Sequence, residues 1–465
     1  LFAGLPLVCT IFALGFNGRH GCRPLFMKRH DALRPCLMLL AACAAGSWCH
    51  ADTPTGRTAA SPHAATVVSA PTDTAPPRTD AVHLPFRHRA GAAGEWLRIL
   101  PTNAFVHGEN ARGHTLRRSH AARLEYAFGI DPRSSAGRAY GAPWTGVGIV
   151  RYGFEDRAEL GQGWGAYVHQ GARLVAFTPR LSLDYGWRFG LTGGWHPYDA
   201  ERNPYNRSHG SRLNAYLDAG LELRWAAAPR LDVSLGATFA HFSNGGTTIP
   251  NAGLNTFGAR IGLSYLFSAR DFASDATAPT AGVPPFPRHW SYDLVAFGSW
   301  RQRGYVRDGH KYVLPSKYAV AGLSFAPMRN LSYRFRVGMA LDAVYDASGN
   351  RVRFYADREG ILFVPDVPLR HQLALGLSGR AEYVMPWFTL GAGIGYNVLS
   401  VGGDMRNFYQ ILALKIDLTH SAFLHVGYNL RNFHEPNYLM LGLGYRFHDL
   451  TPRLYRLFPS RRPRT

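Results

Sequence analysis

From about residue 95 to residue 447 the chain is written in segments of ten or so residues. Within each, apolar side chains alternate with polar or small ones, and Tyr, Phe and Trp gather toward the ends. Successive side chains of a strand point to opposite faces, so each segment has one apolar and one polar face. No stretch beyond the N-terminal region reaches the roughly 18–20 apolar residues that a membrane-spanning helix needs. A chain with both properties can meet lipid only as a closed β-barrel, where every backbone amide is paired with a neighbouring strand.

Eight candidate strands fall at about 95–105, 114–130, 144–154, 162–178, 180–191, 211–225, 231–243 and 254–267. Eight more follow at about 290–303, 312–326, 331–346, 369–385, 387–397, 406–418, 421–431 and 437–447. The two sets end alike, in RIGLSYLF (260–267) and LMLGLGYRF (439–447), and a Pro-rich joint separates them. Short connections (178–180, 226–230, 326–330, 385–386, 420–421) alternate with long ones (192–210, 244–253, 347–368), as periplasmic turns alternate with outer loops. The expected fold is all-β: a transmembrane antiparallel β-barrel built as tandem eight-stranded units, with one sixteen-stranded barrel as the alternative. The expected divisions are upstream sequence and signal peptide (1–51), a disordered Ala/Thr/Pro-rich linker (52–90), a first barrel (91–268), the joint (269–289), a second barrel-like half (290–447) and a basic tail (448–465).

All five cysteines lie at or before Cys49, so a disulfide scaffold or a Cys-based metal protein is excluded. Met27 opens a basic n-region, a short apolar core and a small-residue exit at Cys49-His50-Ala51, the pattern of a secretory signal; LAAC at Leu40–Cys43 offers a lipoprotein box instead. The formal charge is +20. Nucleic acid is excluded as a partner of an exported chain, whereas an anionic membrane surface suits it. The expected location is the outer membrane of a Gram-negative bacterium.

Three adjacent strands single out a site. In 213–225, 231–243 and 255–267 the odd positions are apolar and the even ones polar or small, so the odd face is the lipid face. His241, Ser243 and Asn255 nevertheless share that odd face. They sit at the outer end if the N-terminus is periplasmic, which points to a lipid substrate. His and Ser at i, i+2 with a third group to orient the imidazole is the arrangement of a serine hydrolase. Asp218 and Glu222 fall on the even, lumenal face, which leaves Asn255 as orienter. An amide can hold the imidazole tautomer without stabilising imidazolium by charge. Backbone N–H groups around Asn244, Gly245 and Gly246, where the chain leaves the strand, are the oxyanion candidates. His434 lacks a Ser at i+2 and reads as a non-catalytic loop residue.

HFSNG (241–245) followed by PNAGLN (250–255) resembles the signature of the outer-membrane lipid A 3-O-deacylases, the PagL-like acyloxyacyl hydrolases. The stretch 196–223, HPYDAERNPYNRSHGSRLNAYLDAGLEL, resembles their longer members, and 316–346 is similar to those members' C-terminal extension in general texture. The resemblance implies an eight-stranded barrel with a lipid-facing serine hydrolase site, His241 as base and Ser243 as nucleophile. Family members carry Glu as the third residue where this chain has Asn255. The implied reaction removes an ester-linked 3-hydroxyacyl chain from lipid A of lipopolysaccharide, in contact with outer-membrane lipids and without a cofactor. Arg202, Arg207 and Arg212 are candidates for the lipid A phosphates. The same Ser–His–Asn set also resembles outer-membrane phospholipase A, which would bring calcium and a homodimer. A non-enzymatic porin or structural barrel is the alternative outside enzymology.

Overall fold

The computed structural model describes residues 86–448 apart from 271, 273–281, 308–309, 315, 352–366 and 434. The signal region, residues 52–85 of the linker, much of the joint, His434 and the tail from 449 lie outside the described residues.

The first barrel runs β1 (Arg87–Ile99), β2 (Arg118–Gly129), β3 (Trp144–Phe154), β4 (Gly161–Ala176), β5 (Leu181–Trp195), β6 (Asn214–Ala228), β7 (Leu231–Ser243) and β8 (Leu254–Leu266). Each strand pairs antiparallel with the next, and β1 closes on β8 from Arg89↔Leu266 to Ile99↔Thr256. The second barrel runs β9 (His289–Arg301), β12 (Tyr318–Asn330), β13 (Phe335–Asp346), β14 (Leu373–Met385), β15 (Phe388–Ser400), β16 (Phe408–Asp417), β17 (Ala422–Arg431) and β18 (Glu435–His448). It closes β18 on β9, with a two-stranded hairpin, β10 (Gly304–Arg307) and β11 (His310–Val313), in its first long loop. The chain is therefore two closed eight-stranded barrels in tandem and not one of sixteen strands. Closure removes both sheet edges, and in hydrocarbon each unpaired backbone group would cost several kcal/mol.

Two strands differ most from expectation. β1 begins at Arg87, inside the expected linker, and has ended before residue 104, where a short helix (Ala104–His107) starts. RHRAGAAG (87–94) has no large apolar residue to mark it, and only pairing to β2 and β8 recruits it. The strand expected from 312 begins at Tyr318, because His310–Val313 pairs back on β10.

The outward faces carry Trp96, Leu124, Ile149, Trp164, Leu191, Leu235, Phe257 and Leu263, all exposed, as lipid contact requires. The lumens carry the charge. In the first, Arg260 meets Asp218 (2.9 Å), Glu222 (2.9 Å) and Glu95 (2.5 Å), and Arg188 meets Glu125 (2.7 Å) and Asp218 (3.0 Å). In the second, Asp293 meets Lys415 (2.7 Å) and Arg446 (2.8 Å). A lumenal cavity of about 40 Å³ within the first barrel's charge network has room for a few waters.

The barrels pack against each other through outward-facing side chains. Tyr185 and Trp187 of β5 bury against Met385, Phe388 and Leu414, with the Trp187 and Phe388 rings edge to face at 4.9 Å. Gln170 Nε2 donates to Pro386 O at 3.0 Å beside them. At the long-loop end, residues around 245–249 meet Gln302, Asn437 and Leu439 of the second barrel.

Candidate active site

β7 and β8 pair with His241 directly opposite Asn255, and Ser243 follows on the same outward face. His241 Nδ1 and Asn255 Oδ1 are 2.6 Å apart, and His241 Nε2 and Ser243 Oγ are 3.0 Å apart. The amide oxygen only accepts, so Nδ1 carries the proton and Nε2 presents its lone pair to the serine hydroxyl. The amide is oriented from its other side: Asn255 Nδ2 donates to Thr102 Oγ1 at 3.2 Å, and Asn255 O accepts the Leu100 N–H at 2.9 Å. Thr102 was not foreseen, because it lies in the chain leaving β1 and meets Asn255 only through barrel closure.

Although the trio faces outward, His241 and Asn255 are only 5% and 3% exposed, whereas Ser243 is half-buried. Two loops bring this about. Asn103 caps the short helix, accepting the Val106 N–H on Oδ1 at 3.0 Å, and donates through Nδ2 to Gly253 O at 2.8 Å. The 196–212 segment accepts the Gly253 N–H on Ser208 O at 3.0 Å and is itself pinned by Asn206, which donates to His196 O at 2.7 Å. His209 of that segment lies on the Trp195 ring at 4.2 Å; burial, with a smaller contribution from His241, pushes its imidazole down to about 3, so it stays neutral. Ser243 is thus the most accessible member of the trio.

Gly253 sits against the imidazole with φ +72°, and a Cβ there would stand 3.1 Å from His241 Cε1 and 3.1 Å from Phe242 O. Gly253→Ala must strain the backbone and push the ring off its axis. A misplacement on the order of 1 Å costs up to about 10²-fold, so kcat for ester hydrolysis is expected to fall at least tenfold. A wild-type kcat for this variant would show that the ring position is not critical.

Asp218 and Glu222 lie in the lumen and are taken by Arg260 and Arg188. Two of the oxyanion candidates are engaged: Asn244 N–H donates to Asn251 Oδ1 and Gly246 N–H to Asn244 Oδ1, each at 3.0 Å. Between them, the Gly245 N–H has no acceptor among the described residues. Arg202, Arg207 and Arg212 are exposed on the 196–212 segment. Of these, Arg207 is tied to the site loop through its carbonyl, which accepts the Ala252 N–H at 3.3 Å. Sequence reasoning missed a second basic group. Arg98 and Arg118 are paired opposite one another on β1 and β2 and are both exposed, one and two strands away from Asn255. With His107, His114, Arg117 and Glu155 they line a cleft of about 960 Å³. The signal was present in alternation, since Arg98 shares the outward face with Trp96, but register was needed to place it beside the trio. Among the described residues no group of three or more His, Cys, Asp and Glu side chains lies close enough to hold a metal ion.

Residues 124–264 match the profile of the lipid A 3-O-deacylases (PagL), and residues 290–449 match that of the acyloxyacyl hydrolase C-terminal domain. No curated protein sequence matches the chain. Among solved structures, Neisserial surface protein A is similar at 13% identity and a TM-score of 0.25, over 39% of this chain and 96% of that one. The outer membrane enzyme PagL is similar at 14% identity and 0.25, over 37% and 97%. The β domain of the Bordetella autotransporter BrkA is similar at 11% identity and 0.21, over 78% and 98%.

Proposed function

We infer that this chain, which belongs to the lipid A 3-O-deacylase family in its two-part form, is an outer-membrane serine esterase that removes an ester-linked 3-hydroxyacyl chain from lipid A. The observation that carries the reading is the continuous Ser243–His241–Asn255 hydrogen-bonded chain on the lipid-facing surface, at 3.0 and 2.6 Å. Ser243 Oγ attacks the ester carbonyl carbon while His241 Nε2 takes its proton. The tetrahedral intermediate then expels the sugar oxygen, which receives that proton from His241. Water, deprotonated by the same nitrogen, attacks the acyl-serine; the second tetrahedral intermediate expels Ser243 Oγ, which regains that proton from His241 as the hydroxy fatty acid leaves. Asn255 keeps Nδ1 protonated throughout, and the Gly245 N–H is the oxyanion donor. No step calls on a cofactor.

Placing the nucleophile on the outside of a barrel suits a substrate that arrives laterally through the outer leaflet. The ion-pair network that crosses the lumen of the first barrel speaks against a porin. Arg98 and Arg118 sit beside the trio where the phosphates of lipid A would lie, with Arg207 on the opposite loop. Replacing Arg98 and Arg118 together by Gln is expected to raise KM for bisphosphorylated lipid A roughly tenfold, with kcat unchanged and little effect on a dephosphorylated substrate. An equal loss on both substrates would remove the phosphate assignment.

Mass spectrometry of lipid A from an outer membrane carrying the protein tests the reading, beside a thin-layer assay of phospholipid with calcium and with chelator. Loss of one hydroxyacyl mass is the expected result. Calcium-dependent lysophospholipid with lipid A intact would replace it by the phospholipase reading, and no change in either lipid would favour a structural barrel.

A further inference from the structure

The loop that follows Ser243 is held from the second barrel. Gln302, the first residue past β9, donates its backbone N–H to Gly246 O at 3.1 Å and accepts the Ile249 N–H on Oε1 at 2.9 Å. One residue thus grips the loop at two points, and its own Nε2 is tied back to Leu314 O at 3.4 Å. Leu439 of β18 lies against Gly245 so closely that a Cβ on that glycine would stand 2.5 Å from Leu439 Cδ2. Gly245 and Gly246 have φ of +67° and +82°, two consecutive left-handed residues that only glycine adopts freely. Such a pair bends easily, and within the first barrel the loop is tied chiefly to itself, through Asn244, Thr248 and Asn251.

We propose that the second barrel is a positioning element for the first barrel's site. Gln302 and Leu439 hold the 244–251 loop in the conformation that leaves the Gly245 N–H unbonded and available to the developing oxyanion. The proposal rests on Ser243 as nucleophile. An oxyanion donor lowers a barrier only when it is in place before the charge develops, since reorienting a loose loop costs what the bond returns. A hinge of two glycines cannot supply that rigidity alone, and the neighbouring barrel does. The contact also gives the C-terminal half a role, exerted through the loop beside the trio.

The test uses the full chain in lipid, with folding read from the heat-dependent gel mobility of the barrels. Gln302→Ala is expected to lower kcat for deacylation about tenfold, with KM within about twofold. Gln302→Glu, which keeps an oxygen to accept the Ile249 N–H, is expected to recover most of that loss. Leu439→Ala is expected to lower kcat in the same direction and carries the comparison should Gln302→Ala not fold. Wild-type kcat in Gln302→Ala and Leu439→Ala overturns the proposal, as does a loss confined to KM. The underlying reading fails separately: if Ser243→Ala still deacylates, the nucleophile is wrong whatever Gln302 does. If Ser243→Ala is dead while Gln302→Ala and Leu439→Ala are fully active, only the bracing role falls.

Discussion

An outer membrane carrying the Ser243→Ala variant is expected to keep its full set of lipid A acyl chains, while the wild type loses one hydroxyacyl mass. Removing the nucleophile of a triad eliminates covalent catalysis and leaves only what binding and oxyanion stabilisation supply, so the rate should fall by at least about 10³-fold. The fold should not follow. Ser243 is half-buried, and its hydroxyl bonds to His241 at the barrel rim, so losing it costs on the order of 1 kcal/mol. The two readouts, acyl mass and heat-dependent gel mobility, must therefore separate. Deacylation at the wild-type rate would mean that another group is the nucleophile.

Arg260→Met should do the opposite and strike stability first. Arg260 is buried in the first lumen and holds Asp218, Glu222 and Glu95 at 2.9, 2.9 and 2.5 Å. Without it these carboxylates face one another across a narrow, water-poor space, with Arg123, Arg188 and Arg224 left to compensate. Breaking such a buried network by removing one partner costs roughly 3–5 kcal/mol. The midpoint of urea unfolding in a bilayer or detergent should drop accordingly, and heat-dependent mobility of the first barrel should shift to lower temperature. An unchanged midpoint would mean that the network is redundant. The neutral replacement Thr238→Val, which removes a hydroxyl shared by Asp218 and Arg260, should lie between the two.

The legibility of this chain followed the range of the interaction concerned. Period-two alternation is local, so it placed β3, β6, β7 and β8 within a residue or a few and put His241, Ser243 and Asn255 on one face before any register was known. It also sent Asp218 and Glu222 to the lumen, where they are found in ion pairs. β1 escaped because Arg87–Gly94 carries no large apolar residue; its strand state is imposed by the neighbours on either side. Thr102, Asn103 and Gln302 escaped for the same reason. Each is an ordinary polar residue whose partner lies more than fifty positions away along the chain.

By itself, then, the sequence determined the class of fold, the division into two similar halves, the membrane-facing surface and the chemical identity of the trio. All of these follow from alternation and residue type, which act over a few positions. Only the tertiary structure decided that the halves close as separate barrels, that the amide of Asn255 is oriented by Thr102, and that the outward-facing imidazole is nonetheless buried. It also decided that the loop after Ser243 is gripped by the second barrel. Those outcomes depend on which strands and loops become neighbours, a matter of closure and long-range hydrogen bonding that no local pattern encodes.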